Sequence, residues 1–258
     1  KAGKQDAGVN KLSGKIAVVT GGAQGFGAGI AEAIYKMNLN VVVADINTEA
    51  GDAFVSGLNR QKASGKALFM KTDVSDPESV KNLISFTVSQ FGGLDIFISN
   101  AGILRAGGLD EMEPEVFEKM TRINYNAYYY CVKFASEVMK TQNQERPGYF
   151  TDIIQINSKS GLRGSNRNFA YAGAKFGGIG LTQSFAMELA PFRIKVNSIC
   201  PGNFYEGPLW SDPQNGLFVQ YLKTGKVPGA KTIDDVRRFY EDQVPMKRGC
   251  RLEDVMKA

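Results

Sequence analysis

The 258-residue chain contains no histidine. That absence excludes Ser-His and Cys-His nucleophiles, an imidazole base and any histidine-ligated metal, so acid/base chemistry here must be built from other groups. Cysteine is scarce: Cys131, Cys200 and Cys250 are odd in number and widely spaced, which gives neither a disulfide framework nor metal-ligand spacing. A reducing, cytoplasmic setting and no metal are expected. No apolar run approaches the ~18 residues of a membrane helix, and the polar start is no signal peptide. Charge of one sign is not concentrated either. The 31 basic and 26 acidic residues are interspersed, a net +5, without the basic stripe that nucleic-acid binding needs. They read as a solvated surface. Residues 1–11 read as a disordered, linker or tag segment and residues 12–258 as one domain. Apolar content of 43% and charged content of 22% are ordinary and exclude disorder, collagen and coiled coil.

What is plentiful is glycine, 29 residues, and an alternation of short β-branched runs with longer helical patterns. Residues 15–20, 40–45, 67–73, 94–100, 150–157 and 193–200 read as strands. Residues 27–37, 48–64, 76–91, 114–140 and 169–189 read as helices. Strands that are apolar nearly end to end suit a parallel sheet covered on both faces, so the expected fold is α/β, single-domain and doubly wound, of Rossmann type. The polar stretch 141–148 reads as a surface loop. Residues 203–231, rich in Gly, Pro and aromatics, are too long for an ordinary connection and read as a lid or substrate wall.

Directly after the first strand comes Thr20-Gly21-Gly22-Ala23-Gln24-Gly25-Phe26-Gly27, opening a helix of small residues. Glycines belong where a backbone must turn tightly beside a pyrophosphate whose charge meets a helix N-terminus. Asp45 follows Gly21 by 24 residues, at the end of the second strand, where a carboxylate would accept ribose hydroxyls of NAD and repel a 2′-phosphate. A helix N-cap or turn role is the alternative for Asp45. Asp73-Val74 and Asn100-Ala101-Gly102 end the third and fourth strands, the edge where doubly wound sheets bind ligands, although each alone also reads as a turn. After the fifth strand stands Ser158, with Tyr171 thirteen residues later and Lys175 four beyond that. Positions four apart share a helix face, and an ammonium beside a phenol favours the phenolate, so Tyr with Lys can do the work that histidine does elsewhere.

These motifs, in this order, resemble the short-chain dehydrogenase/reductase family. Its T-G-x-x-x-G-x-G motif is matched by Thr20, Gly21, Gly25 and Gly27, its N-A-G by Asn100, Ala101 and Gly102, and its P-G turn by Pro201-Gly202. The resemblance implies a catalytic tetrad of Asn124, Ser158, Tyr171 and Lys175. It implies a NAD site including Gly21, Gln24, Gly25, Phe26, Gly27, Asp45, Asp73, Val74, Asn100, Ala101, Gly102, Tyr171, Lys175, Pro201 and Gly202. Tyr171 would take the hydroxyl proton as hydride passes to the nicotinamide, and Ser158 would hydrogen-bond the developing carbonyl. Lys175 would hold the ribose and lower the Tyr171 pKa, and Asn124 would kink its helix and hold a water of a proton relay. The family's habits also imply a homotetramer or homodimer through helices bearing Tyr125, Tyr128, Tyr129, Tyr130 and Phe134, and Phe176, Leu181 and Phe185, for half of which core packing is an equal explanation. A seventh strand and short tail, usual in the family, are absent from the sequence, and a piece of a longer chain is expected.

Residues 153–183 and 244–250 resemble the bacterial members that interconvert glucitol 6-phosphate and fructose 6-phosphate. Lys159, Arg163 and Arg167 put three cations within nine residues between Ser158 and Tyr171, as a sugar phosphate needs. A solvated basic loop is the alternative. Glu206 argues against a phosphate if it faces the site, and Asn203 and Tyr205 could serve a phosphorylated or a free polyol. The rival readings are a dehydrogenase of an unphosphorylated polyol or another hydroxyl metabolite and, less favoured because Ser158, Tyr171 and Lys175 are all present, a catalytically silent nucleotide sensor.

Overall fold

A computed structural model describes residues 12–258, so the segment 1–11 lies outside the described residues. Six strands form one parallel sheet: β1 (Ile16–Thr20), β2 (Asn40–Asp45), β3 (Ala67–Lys71), β4 (Ile96–Ser99), β5 (Thr151–Ile156) and β6 (Ile194–Ile199). Their order across the sheet is β3-β2-β1-β4-β5-β6. β1 therefore has β2 on one side and β4 on the other, with Val18 opposite both Val42 and Phe97. The chain reverses its direction of winding there, which leaves a crevice beyond the C-terminal ends of β1 and β4.

The helices are α1 (Gly25–Lys36), α2 (Thr48–Asn59), α3 (Pro77–Phe91), α4 (Pro114–Thr121), α5 (Ala127–Glu145), α6 (Phe169–Leu189), α7 (Pro208–Ser211), α8 (Leu217–Lys223), α9 (Ile233–Asp242) and α10 (Leu252–Met256). Alternate side chains of the strands feed two cores, one per face. Val18, Val42, Phe97 and Ile153 pack with Leu83 of α3, Tyr128 and Met139 of α5 and Leu189 of α6. Ala17, Val19, Val43, Ile96 and Ile98 pack with Ile30 and Tyr35 of α1, Val55 of α2 and Val255 of α10.

Three departures from the sequence reading concern where helices end or break. Helix α2 stops at Asn59 rather than residue 64, because the Asn59 side chain pairs with the backbone of Ala67, donating to its carbonyl at 2.8 Å and accepting from its amide at 3.0 Å. The stretch expected as one helix over 114–140 is broken by a π-helical turn, Arg122–Asn126, between α4 and α5. Most of the expected loop 141–148 is helical, since α5 continues to Glu145. Buried Asn143 holds that last turn down, donating to Thr151 Oγ1 and to the Phe192 and Arg193 carbonyls at 3.0–3.2 Å.

Residues 203–231 are likewise not a plain loop. They contain α7 and α8, and with α9 they enclose a third core of Tyr205, Trp210, Leu217, Phe218, Tyr221, Val227 and Val236. Trp210 lies edge-on to Phe218, Tyr221 and Tyr240, with ring centroids 5.0–5.6 Å away. Edge-to-face aromatic packing of this kind gives a short segment its own rigidity.

Candidate active site

The crevice over β1 and β4 opens into a cleft of about 1200 Å³, bounded on the far side by α7, α8 and α9. Its floor is the glycine turn. Gly21 and Gly25 have φ of +59° and +57°, and a Cβ at Gly27 would lie 2.0 Å from the Gly21 carbonyl oxygen. The turn thus needs glycine both for its left-handed residues and for its closure onto α1. Asn100 secures it to β4: its Nδ2 donates to the Thr20 and Gly21 carbonyls at 3.0 Å, and its own amide donates to Thr20 Oγ1 at 3.0 Å. These bonds replace the ladder pairing that is lost where the two strands part. Asp45 accepts from the Ala23 amide at 3.1 Å and the Asn47 amide at 3.0 Å, so it braces the turn while facing the cleft.

Ser158 is held at the start of a 3₁₀ turn, Lys159–Gly161, where its hydroxyl accepts the Ser160 amide at 3.1 Å. Behind it, buried Asn157 accepts the Ser158 amide at 2.8 Å and donates to the Lys175 carbonyl at 3.0 Å. Asn157 thereby ties the Ser158 loop to α6. Tyr171 and Lys175 stand one turn apart on α6 and both face the cleft. Ser158 stands close enough to the Tyr171 phenol to favour its ionised form. Lys175 Nζ donates to the Ile156 carbonyl at 3.0 Å and lies 5.5 Å from the centroid of the Tyr171 ring. Asn124, in the π turn, is 3% exposed. Its Oδ1 accepts the Ile103 amide at 2.9 Å and its Nδ2 donates to the Ile103 carbonyl at 2.8 Å, which fixes the chain leaving β4. A side chain at Gly102 would meet Asn124 Oδ1 at 2.9 Å and Lys175 Nζ at 4.0 Å, so the two groups converge at Gly102, Lys175 on the cleft wall and Asn124 buried behind it.

Burial dominates the electrostatics of this corner. It pushes the Tyr171 phenol up to about 12, against a smaller lowering by Ser158, and brings the Lys175 ammonium down to about 8. In the protein alone the Lys175 ammonium is itself desolvated and gives its hydrogen bond to the Ile156 carbonyl.

The cleft wall gathers Gln24, Gly25, Phe26, Asp73 and Val74 on the glycine-turn side, and Ala101, Gly102, Pro201, Gly202 and Asn203 across from them. Lys159 and Arg163 also line it. Gly27 and Asn124 lie behind the wall rather than on it, and three further sequence-derived candidates lie elsewhere. Tyr205 is fully buried in the aromatic core of the lid, against Trp210 and Phe218, and Glu206 beside it is exposed outside the cleft wall. The two alternate because an apolar core claims the ring and solvent the carboxylate. The objection that Glu206 raised to an anionic substrate therefore falls. Arg167 is half-buried off the cleft wall and ion-paired with Glu111. Among the described residues no group of three or more Cys, Asp or Glu side chains could hold a metal ion, and no helix is long and apolar enough to cross a membrane.

Residues 15–212 match the family model described as short chain dehydrogenase. The chain belongs to the short-chain dehydrogenase family. This short-chain dehydrogenase is 34% identical to the sorbitol-6-phosphate 2-dehydrogenase of Escherichia coli (strain K12), over 94% of this chain and 88% of that one. It is 33% identical to the trans-4-hydroxycyclohexanecarboxylate dehydrogenase of Sinomonas cyclohexanicum, over 94% and 92%. Among solved structures, a sorbitol-6-phosphate 2-dehydrogenase from Erwinia amylovora has a TM-score of 0.84 at 34% identity, covering 93% of this chain and 89% of that one.

Sequence reasoning missed several wall residues, namely Phe204, Trp210, Tyr221 and Lys226. Phe204 stacks on Phe26 at 4.6 Å between centroids and so joins the lid to the glycine turn. The aromatic density of 203–231 was the available signal for a packed lid; nothing in its spacing marks which lysine turns inward.

Proposed function

We propose that this short-chain dehydrogenase transfers hydride between NAD and a secondary alcohol of a sugar or polyol phosphate, of the glucitol 6-phosphate/fructose 6-phosphate type. The observation that carries the reading is the meeting of Ser158, Tyr171 and Lys175 with the cations Lys159 and Arg163 along one cleft. The glycine turn suits the cofactor: Gly21 and Gly25 in left-handed conformation, with α1 beginning at Gly25, leave its backbone bare toward the cleft, as a pyrophosphate requires. Asp45 at the cleft wall favours ribose hydroxyls over a 2′-phosphate. When bound, the nicotinamide supplies the hydride acceptor or donor and, oxidised, a positive charge. The chain supplies the proton chemistry. Tyr171 takes the proton from the substrate hydroxyl in oxidation and returns it in reduction, Ser158 holds the same oxygen, and Lys175 stabilises the phenolate as it forms.

A free polyol is the second reading, favoured by Asp212, a carboxylate on the cleft wall. Steady-state kinetics with glucitol 6-phosphate and free glucitol, followed by NADH absorbance, separates the two. A higher kcat/KM for the free polyol overturns the phosphate reading.

The proposal extends to assembly and setting. Exposed Tyr129 of α5 and Phe176 and Met187 of α6 suit a contact with a second copy, making a homodimer or homotetramer. Light scattering on the eluting protein tests it. The three free cysteines support a reducing, cytoplasmic setting, which localisation of the tagged chain tests.

A further inference from the structure

Resting on the sugar-phosphate reading, we infer that Lys226 is a specificity-determining residue of this site, holding the substrate phosphate from the lid together with Lys159 and Arg163 on the loop after Ser158. Its backbone position is set by a helix stop. The Lys226 amide donates to the Tyr221 carbonyl at 3.0 Å and the Gly225 amide to the Leu222 carbonyl at 3.2 Å, with Gly225 at φ +62°. Those two bonds and the left-handed glycine form a Schellman motif that closes α8 and fixes where Lys226 leaves the chain.

The side chain then enters the cleft, with Nζ 4.2 Å from the centroid of the Tyr221 ring, and it is half-buried there. Its neighbours are cations. Burial first, then the charges of Arg167 and Lys159, bring the Lys226 ammonium down to about 8, and burial with the Arg163 charge lowers Lys159. Of the nearby carboxylates, Glu111 pairs with Arg167, and Asp212 holds the Gln214 and Asn215 amides through Oδ1, at 2.9 and 2.6 Å, without an ion pair to the three cations. Among the described residues, Lys159, Arg163 and Lys226 form no ion pair. Like charges gathered without a counter-ion raise the energy of the free protein, and a dianion offering three oxygens reverses that cost. A single carboxylate would satisfy fewer of the three.

The test compares wild type, Lys226→Met and Lys226→Arg on glucitol 6-phosphate and free glucitol with NAD. In parallel, inorganic phosphate is titrated into each protein while the emission of Trp210, the sole tryptophan and a residue of the same wall, is recorded. The expected result is a wild type that prefers the phosphate ester. In Lys226→Met that preference falls about 10- to 100-fold through KM, the loss of one charge-assisted contact, and the arginine variant recovers most of it. The phosphate-induced change in Trp210 emission weakens in the methionine variant alone. If wild type prefers the ester and Lys226→Met keeps both its preference and its phosphate affinity, the role of Lys226 is wrong and the substrate reading stands. If wild type prefers free glucitol and phosphate leaves Trp210 emission unchanged, the substrate reading itself is wrong, and the role of Lys226 falls with it.

Discussion

Lys175 Nζ sits 5.5 Å from the centroid of the Tyr171 ring with its hydrogen bond given to Ile156, so the two groups are close without being directly bonded. Each is held toward its neutral form by burial, the phenol at about 12 and the amine at about 8. A neutral phenol is poised to donate in reduction and needs a cation at hand to become a base in oxidation. Tyr171→Phe keeps the ring and removes the proton. Alcohol oxidation in that variant is expected to fall by about 10²- to 10⁴-fold, while NADH binding measured by fluorescence is retained.

The same burial makes Lys175 a cost to the fold. Its folded pKa, about 8, lies below the ordinary 10.5, so the unfolded chain binds more protons between those values and stability rises with pH across that window. Below about 8 the cost is present in full. Lys175→Met removes the buried charge but leaves the Ile156 carbonyl without its donor, and a net gain on the order of 1 kcal/mol is expected at neutral pH, about 2–4 °C in Tm. Calorimetry at rising pH should show the advantage of the variant shrinking above pH 8, with activity lost throughout. An advantage that does not change with pH would mean that Lys175 is not depressed.

Asp45 bonds to the Ala23 and Asn47 amides and also faces the cleft, and one substitution can separate those duties. Asp45→Asn keeps one acceptor, for the Ala23 amide of the turn, gives up the bond from the Asn47 amide, and removes the charge that a 2′-phosphate would meet. The ratio of kcat/KM for NAD over NADP should drop by about tenfold, in line with one like-charge contact removed at a partly solvated site. An unchanged ratio would assign Asp45 to the turn alone.

The sheet was legible because its strands carry their own signature. β2 is bounded as the sequence predicts, and the other five differ only by trimmed ends, as expected of runs that are apolar through the centre. The glycine turn and the order of Ser158, Tyr171 and Lys175 were legible for the same reason: each is local, set by spacing along one turn or one helix. What escaped was set by distant contacts. The end of α5 goes with Asn143 reaching Phe192 and Arg193, whereas the break at Asn124, expected from the family resemblance as a kink, goes with a pairing to Ile103, 21 residues away. Glu206 and Tyr205 were misplaced because facing in or out of the lid depends on Trp210, Phe218 and Tyr240, which a linear reading cannot bring together.

That misplacement gives a test of its own. Tyr205 packs edge-on to Trp210 at 5.1 Å and against Phe218 at 5.6 Å, while its hydroxyl accepts a hydrogen bond from Asn203 Nδ2, at 3.4 Å. If the ring matters for packing and the hydroxyl does not touch substrate, removing the hydroxyl and removing the ring must have different effects. Tyr205→Phe should keep KM for the polyol substrate within about twofold, since one long hydrogen bond is lost at a site worth at most about 1 kcal/mol. Tyr205→Ala empties a buried volume and should cost about 3–5 kcal/mol locally. The damage should appear as faster proteolysis within residues 203–231 and a raised KM, with Trp210 emission shifted to the red as water reaches it. A Tyr205→Phe variant with KM raised tenfold and Trp210 emission unchanged would return the hydroxyl to the substrate.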